Sequence, residues 1–303
     1  MKAPLVSIVC VSHGRRELLL RCLESCSRQD HHRKEIVVVL NPGEPAVESE
    51  IAARFPAVRM VRTHRNIGFF PALNIAIANA TGDYIMTVDD DARFLADDAL
   101  SRLLDCFVDE PALGAVTCNL EGPREVPVEG PDRYFREFTT GFTMMPRQVF
   151  TDWVGFYPDL FFRSGGETYV CSALWDQGRP VKKVSGVRMY HEWAGTGRSR
   201  RDQYFFGLRS QLLCALMRDP LPMIPLVLLS KLVRSALFFM RKGMAVVWLP
   251  AVLSAICHAP SALSYRRPMR MATWRLMRLV DRQIVTDLGE LERRFGFRLA
   301  GPI

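Results

Sequence analysis

Residues Asn66 to Asp91 read NIGFFPALNIAIANATGDYIMTVDDD. Within this stretch Pro71 to Ala80 predicts a helix, because proline fits a first turn and Thr81-Gly82 closes the segment. Tyr84 to Val88 is a short apolar run bounded by turn signals, which predicts a strand buried on both faces. It runs straight into Asp89, Asp90 and Asp91. Upstream, Leu5 to Val11 (LVSIVCV), Glu35 to Leu40 (EIVVVL) and Val58 to Arg62 predict three more strands. Between them, Leu18, Leu19, Cys22, Leu23 and Cys26 fall at helical spacing, and Val47 to Phe55 suits a short helix. Alternation of this kind predicts an α/β fold, Rossmann-like, with a mostly parallel sheet and right-handed crossovers.

Open α/β sheets bind ligands at the carboxyl ends of their strands. Three of those ends are polar here: Ser12 to Arg15, Asn41 and the aspartate triplet. Side chains alternate in extended chain, so Asp89 and Asp91 point to one side and Asp90 to the other. Two convergent carboxylates raise each other's pKa. A hard divalent cation, Mg²⁺ or Mn²⁺, relieves that repulsion and bridges readily to diphosphate oxygens. The same triplet also fits a solvated acidic turn ahead of the next helix, which Asp97 or Asp98 would cap equally well.

Asn66, Gly68, Ala72, Asn74, Ala78, Gly82, Asp83, Tyr84 and Asp89 to Asp91, in that order, resemble the signature of the inverting family-2 glycosyltransferases, including bacterial rhamnosyltransferase-like members. The opening SIVCVSHGR, Ser7 to Arg15, is similar to that family's first strand and nucleotide-contacting turn. The resemblance covers about the first 200 residues and implies the GT-A fold, with a nucleotide-sugar half over 1–92 and an acceptor half over 93–200. It implies Ser12, His13, Arg15, Asn41, Asn66, Gly68, Asn74, Asp89 and Asp90 as donor contacts, and Asp89, Asp91 and His191 as metal ligands. Arg198 and Arg201, in the Gly-rich stretch from Gly195, are placed to close over the leaving diphosphate.

The segment Gly155 to Val181 resembles the family's acceptor-side motif, commonly G-E-D with a carboxylate as base. Gly166 and Glu167 are kept, but Thr168 stands where aspartate is usual, so Glu167 alone inherits the role of base. A carboxylate facing the N-terminal dipole of a helix is the plainer explanation of the same residue. A second departure is Leu40-Asn41 at the end of the second strand, where an acid commonly reads the base; UDP, dTDP and GDP all stay open. An inactive GT-A scaffold and a direct glycolipid synthase are the competing expectations.

The charge is divided unevenly. Up to Ser199 there are 23 Lys+Arg against 26 Asp+Glu, whereas from Arg200 onward there are 17 against 6. The basic part is also apolar, with runs over Leu221 to Met240 and Gly243 to Leu263. Its aromatics sit in the apolar runs and not among the arginines, which favours an anionic membrane surface over nucleic acid. A span needs about 20 apolar residues. Gly243 to Cys257 is a clean run of 15 with Pro250 inside it, and Leu221 to Met240 holds Lys231 and Arg234. Residues 201–303 are therefore expected as interfacial helices, peripheral or monotopic, or alternatively as a packed bundle or dimer interface. No CxxC pair occurs and no secretory signal precedes Leu5, which suits a reduced compartment and the cytoplasmic face of the inner membrane. An acceptor borne on a glycan or a lipid fits that location.

Overall fold

The computed structural model describes residues 3–42, 46–195, 199–280 and 282–301. The first half alternates as expected: β1 (Val6–Ser12), α1 (Arg16–Ser27), β2 (Lys34–Leu40), α2 (Ala46–Arg54), β3 (Val58–Arg62), α3 (Phe69–Ala78) and β4 (Tyr84–Asp89). β1 is buried along its whole length, which is why its sequence is apolar without alternation. It lies between β2 and β4, with Ile8 opposite both Ile36 and Met86, and all three strands are parallel.

Beyond β4 come β5 (Ala92–Phe94), α4 (Ala99–Asp109), β6 (Ala115–Glu121), β7 (Arg133–Tyr134), β8 (Phe142–Pro146), α5 (Gly166–Asp176) and β9 (Val181–His191). They complete a nine-stranded sheet of order β3-β2-β1-β4-β8-β6-β9-β5, with β7 beside β9. The sheet is mixed: β8 runs antiparallel to both β4 and β6, whereas β6 and β9 are parallel. β6 (AVTCNLE) leaves no clear strand signal, because Thr117 and Asn119 interrupt its apolar run. Both are nevertheless buried and bonded, Thr117 to the Phe142 carbonyl and Asn119 to the backbone at Val128 and Ser185.

The C-terminal part is helical: α6 (Arg200–Arg218), α7 (Ile224–Arg241), α8 (Ala245–Ser264), α9 (Met271–Val280) and α10 (Leu288–Phe295). It is folded back onto the sheet domain. α6 packs on α5, and α8 packs along α6. α9 is tied to the end of α5, where the Arg270 N–H (2.9 Å) and Thr273 hydroxyl (2.6 Å) both donate to the Asp176 carboxylate.

The expected break at Pro250 does not occur. α8 is one 20-residue helix with both Pro250 and Pro260 inside it. Each proline removes one backbone hydrogen bond, but the small buried residues Ala251, Ala255 and Ala262 let the helix lie close along α6, and that packing holds it together. Leu221–Arg241 and Ala245–Ser264 are thus long and apolar enough to cross a membrane, by length and composition. Each exposes a stripe of large apolar side chains: Leu226, Leu229, Val233, Leu237 and Met240 on α7, and Val246, Leu249, Leu253, Ile256 and Leu263 on α8.

Trp175 anchors the junction of the two parts. It is fully buried, its indole N–H donates to the Phe135 carbonyl (3.1 Å), and its ring lies 5.4 Å from that of Phe297. Trp175→Ala leaves a cavity and an unpaired carbonyl, and its expected cost is about 3–5 kcal/mol. Urea denaturation measures it, with Val126→Ala at an exposed site as the neutral control.

Candidate active site

The carboxyl ends of β1, β2 and β4 open into a cleft of about 390 Å³ that contains Ser12, Arg15, Asp89, Asp90, Glu167 and His191. A neighbouring cavity of about 290 Å³ shares Ser12, Arg15 and Asn41 with it and extends to Arg62 and Thr63 at the end of β3. Together they form one groove running across the polar strand ends.

The triplet splits between two environments. Asp90 turns toward β1, where Ser12 Oγ (2.8 Å) and Arg15 Nη1 (2.8 Å) donate to its two oxygens. Burial raises the pKa of Asp90 and the Asp91 charge adds to that, while the Arg15 guanidinium opposes it. Asp91 is fully buried, 3.1 Å from the same Arg15 nitrogen, and accepts from the Ala194 N–H (3.1 Å). Asp89 faces Gly141, which has φ +94° and no room for a β-carbon because the Asp89 carboxylate occupies that space. Only glycine satisfies both conditions.

Asp89, Asp91 and His191 converge, each offering a ligand atom within 4.8 Å of the others. His191 Nδ1 lies 3.2 Å from the Glu125 carboxylate, and only a protonated Nδ1 can bond to it. That tautomer turns the Nε2 lone pair toward Asp91 Oδ1, 3.4 Å away, and Nε2 is buried with no hydrogen-bond partner. Burial opposes a charged imidazole, yet Asp91, Asp89 and Glu125 outweigh it and raise the pKa of His191. Two carboxylates and an orphaned imidazole nitrogen facing one another fit a divalent cation, with Glu125 orienting the histidine from behind.

Glu167 enters the cleft from the first turn of α5. Two glycines set that helix in place. At Gly165 (φ +100°) a β-carbon would lie 2.7 Å from Ser210 of α6, and at Gly166 it would collide with the Phe70 ring of α3. The helix start is therefore wedged between α3 and α6, with its acid aimed at the strand ends. Burial raises the Glu167 pKa to about 7, assisted by the charges of Glu137 and Asp89. Thr168, in the position where the resemblance expects an aspartate, donates 2.6 Å to Glu137. A second carboxylate thus stands beside Glu167, contributed by a different segment.

Of the remaining predicted contacts, His13 lies exposed at the cleft rim, and Asn66 accepts from the Gly68 N–H (3.0 Å) in the wall. Gly68 packs where a side chain would collide with Phe162. Asn41 accepts from Thr63 Oγ1 (2.9 Å) and the Ile67 N–H (3.3 Å) and donates to the Gly68 carbonyl (3.3 Å), so its amide holds the wall together. Asn74 does not line this cleft. Its amide pairs with both backbone groups of Tyr157 (2.8 and 3.0 Å), which makes it a brace between α3 and the segment before α5. Arg198 lies outside the described residues, and Arg201 is exposed in the first turn of α6. Glu125 and Trp193 are at the cleft without having been predicted. Glu125 sits in a stretch legible only as loop. Trp193 holds φ +54°, an uncommon conformation for a bulky residue, with its ring 4.7 Å from His191.

The sequence profile of glycosyl transferase family 2 matches residues 7–165. The galactofuranosyltransferase GlfT1 of Mycolicibacterium smegmatis is 32% identical over 126 residues, 40% of this chain and 42% of that protein. The chain spans between a third and about two fifths of the length of the curated relatives it matches. Among solved structures, residues 1–349 of S. aureus TarS in complex with UDP-GlcNAc superpose with a TM-score of 0.62 at 16% identity, covering 91% of this chain and 88% of that one. The Pyrobaculum calidifontis mannosyltransferase PcManGT, in complex with GDP-Man and Mn²⁺, gives 0.58 at 16% identity over 92% and 84%. At that identity the structures establish the GT-A fold, and the profile establishes membership: this chain belongs to glycosyl transferase family 2.

Proposed function

We propose that this glycosyltransferase moves a sugar, with inversion, from a nucleoside diphosphate to a hydroxyl of a glycan or lipid-linked acceptor in envelope polysaccharide synthesis. The observation that carries this reading is a carboxylate with a pKa near 7, Glu167, in one cleft with Asp89 and His191, on which the buried Asp91 also converges. Bound Mg²⁺ or Mn²⁺ would be held by those last three residues and would supply Lewis-acid stabilisation of the departing diphosphate. Nucleotide sugars bound to TarS and PcManGT support a donor of that class. The nucleoside belongs in the cavity at the ends of β2 and β3, beside Asn41 and Thr63. Glu167 accepts the acceptor proton as its oxygen attacks the anomeric carbon. A base with a pKa close to the working pH combines adequate population with adequate basicity. Arg15 holds Asp90 and Asp91 in place throughout.

The membrane reading follows from the two apolar stripes. The inner faces of α7 and α8 are packed, and α6, along which α8 lies, exposes Arg200, Arg201, Asp202, Gln203 and Gln211. Insertion of α8 across a bilayer would drag those groups toward hydrocarbon. Helices lying in the interface, with Arg241 and Lys242 among the headgroups, avoid that cost. With Cys257→Ser as background, single cysteines at 242 and 264 should both label from the cytoplasmic side of sealed vesicles. Labelling from opposite sides would rule the interfacial arrangement out.

Glu167→Gln keeps the shape of the base but accepts no proton, so transfer should fall by about a hundredfold or more while donor binding persists. The raised pKa sets the sign of the pH dependence. Glu167 is active only when ionised, so kcat/KM should drop as pH falls through about 7. The Gln variant should lose that acid limb. Transfer near the wild-type rate in Glu167→Gln would move the base elsewhere.

Asp91→Ala removes one ligand of the converging set, so the donor should lose the part of its affinity that depends on divalent ions. Calorimetry with a sugar nucleotide identified by hydrolysis screening, with and without Mn²⁺, measures this. An unchanged Mn²⁺ increment in the variant contradicts the ligand assignment.

A further inference from the structure

On the far side of the first turn of α5, a second cavity of about 1010 Å³ lies between α5, α6, α7 and α9. Six cations line it, Arg136, Arg218, Lys231, Arg234, Arg278 and Arg282, against the carboxylates Glu137 and Asp219. Both carboxylates are engaged, Glu137 by Thr168 (2.6 Å) and Asp219 by the Trp274 indole (3.0 Å). Arg218 is also committed, donating to Ser172 Oγ (2.8 Å) and to the Arg267 carbonyl. Among the described residues, Lys231, Arg278 and Arg282 form no ion pair. Arg278 lies flat over the Trp274 ring at 3.6 Å, and Arg234 bonds only to Ser230 of its own helix. Six cations against two carboxylates leave an excess of positive charge along the cavity, with Lys231 half-buried and Arg234, Arg278 and Arg282 exposed at its edge, and guanidinium forks suit phosphate oxygens.

The borders of the cavity specify that anion further. Gln203 lines both this cavity and the donor cleft, and Thr168 adjoins Glu167. Two exposed apolar side chains of α7 also line the cavity, Phe238 beside Tyr204 (5.6 Å between rings) and Leu226 at the other end of the helix. A ligand filling it would carry a hydroxyl-bearing group toward the base, an anion in the middle and an apolar chain over α7. A bilayer phospholipid headgroup would meet Arg241 and Lys242 at the α7–α8 turn and has no reason to reach Glu167.

We propose that this cavity binds the phosphate or diphosphate of a lipid-linked acceptor, with Lys231 and Arg278 as its principal contacts. The role of that lipid as acceptor rests on the transferase reading above; its binding does not.

The test uses the full chain and neutral phosphatidylcholine vesicles doped either with a polyprenyl diphosphate or with phosphatidylglycerol at equal surface charge. The wild type should bind the diphosphate vesicles at least about tenfold more tightly, the equivalent of one charge-assisted hydrogen bond. Lys231→Gln and Arg278→Gln should each lose that preference, and Lys231→Arg should retain it, with thermal midpoints reporting the fold of each variant. If a Gln variant is less stable, competition on the wild type decides: soluble pyrophosphate should displace it from the diphosphate vesicles and not from the phosphatidylglycerol ones. Equal affinity for both vesicles would assign the cavity to bulk headgroups and overturn the proposal, as would retention of the preference in both Gln variants. Glu167→Gln should bind the diphosphate vesicles like the wild type, so failure of the catalytic assignment and failure of the lipid site give different results.

Discussion

Three consecutive aspartates at the end of a buried strand are an electrostatic problem that the surrounding chain has to solve. Like carboxylates brought together resist ionisation, and burial makes this worse. Asp90 and Asp91 share one guanidinium, Arg15, contributed by the turn after the first strand. Asp89 and Asp91 face an imidazole nitrogen left without a partner. The two side chains that meet the cluster come from opposite ends of the domain, the Arg15 guanidinium before α1 and the His191 imidazole at the close of β9. The fold of the sheet is in this sense a means of bringing a distant cation and a distant imidazole to one strand end.

The parallel half of the sheet was legible because its strands are buried on both faces and read as unbroken apolar runs. Its ligand-binding edge was legible for the same reason, since polarity begins abruptly where burial ends. Strand β6 was not, because it carries a threonine and an asparagine whose hydrogen bonds are satisfied only across the sheet. The site shows the same divide. Asp89 to Asp91, Glu167 and His191 stand out by pattern and converge on one region, whereas Glu125 reaches it through its contact with His191, and no local signal marks it. Asn74 misled for the converse reason: a motif asparagine can serve the fold, and this one spends its amide on the Tyr157 backbone. Proline in the tail also misled, since the helix that contains Pro250 continues through it while packed along α6.

Glu167 and the aspartates are chemically alike, and their different electrostatic states come from what surrounds them. Asp90 and Asp91 have Arg15 within hydrogen-bonding distance; among the described residues Glu167 has no such cation, and it faces the charges of Glu137 and Asp89. One carboxylate is thereby left with a pKa near neutrality, which suits proton transfer, while the others are held for charge-charge interactions. Thr168 matters to this separation. An aspartate there would add a third negative charge beside Glu137 and Glu167 and push the pKa of Glu167 higher still. A hydroxyl satisfies Glu137 without adding charge.

The helical tail extends the same logic outward. α5 supplies Glu167 at its first turn and Asp176 at its end, and Asp176 is the residue that fastens α9 and the basic segment before it. One short helix therefore fixes both Glu167 and the scaffold on which the apolar outer helices are mounted. A shift of α7 and α8 relative to the sheet domain would have to pass through α6, whose Ser210 and Cys214 press on Gly165 at the helix start. The exposed apolar stripes of α7 and α8 and the carboxylate of Glu167 are thus parts of one packed unit, so the distance between them is set by side-chain packing and not by a linker.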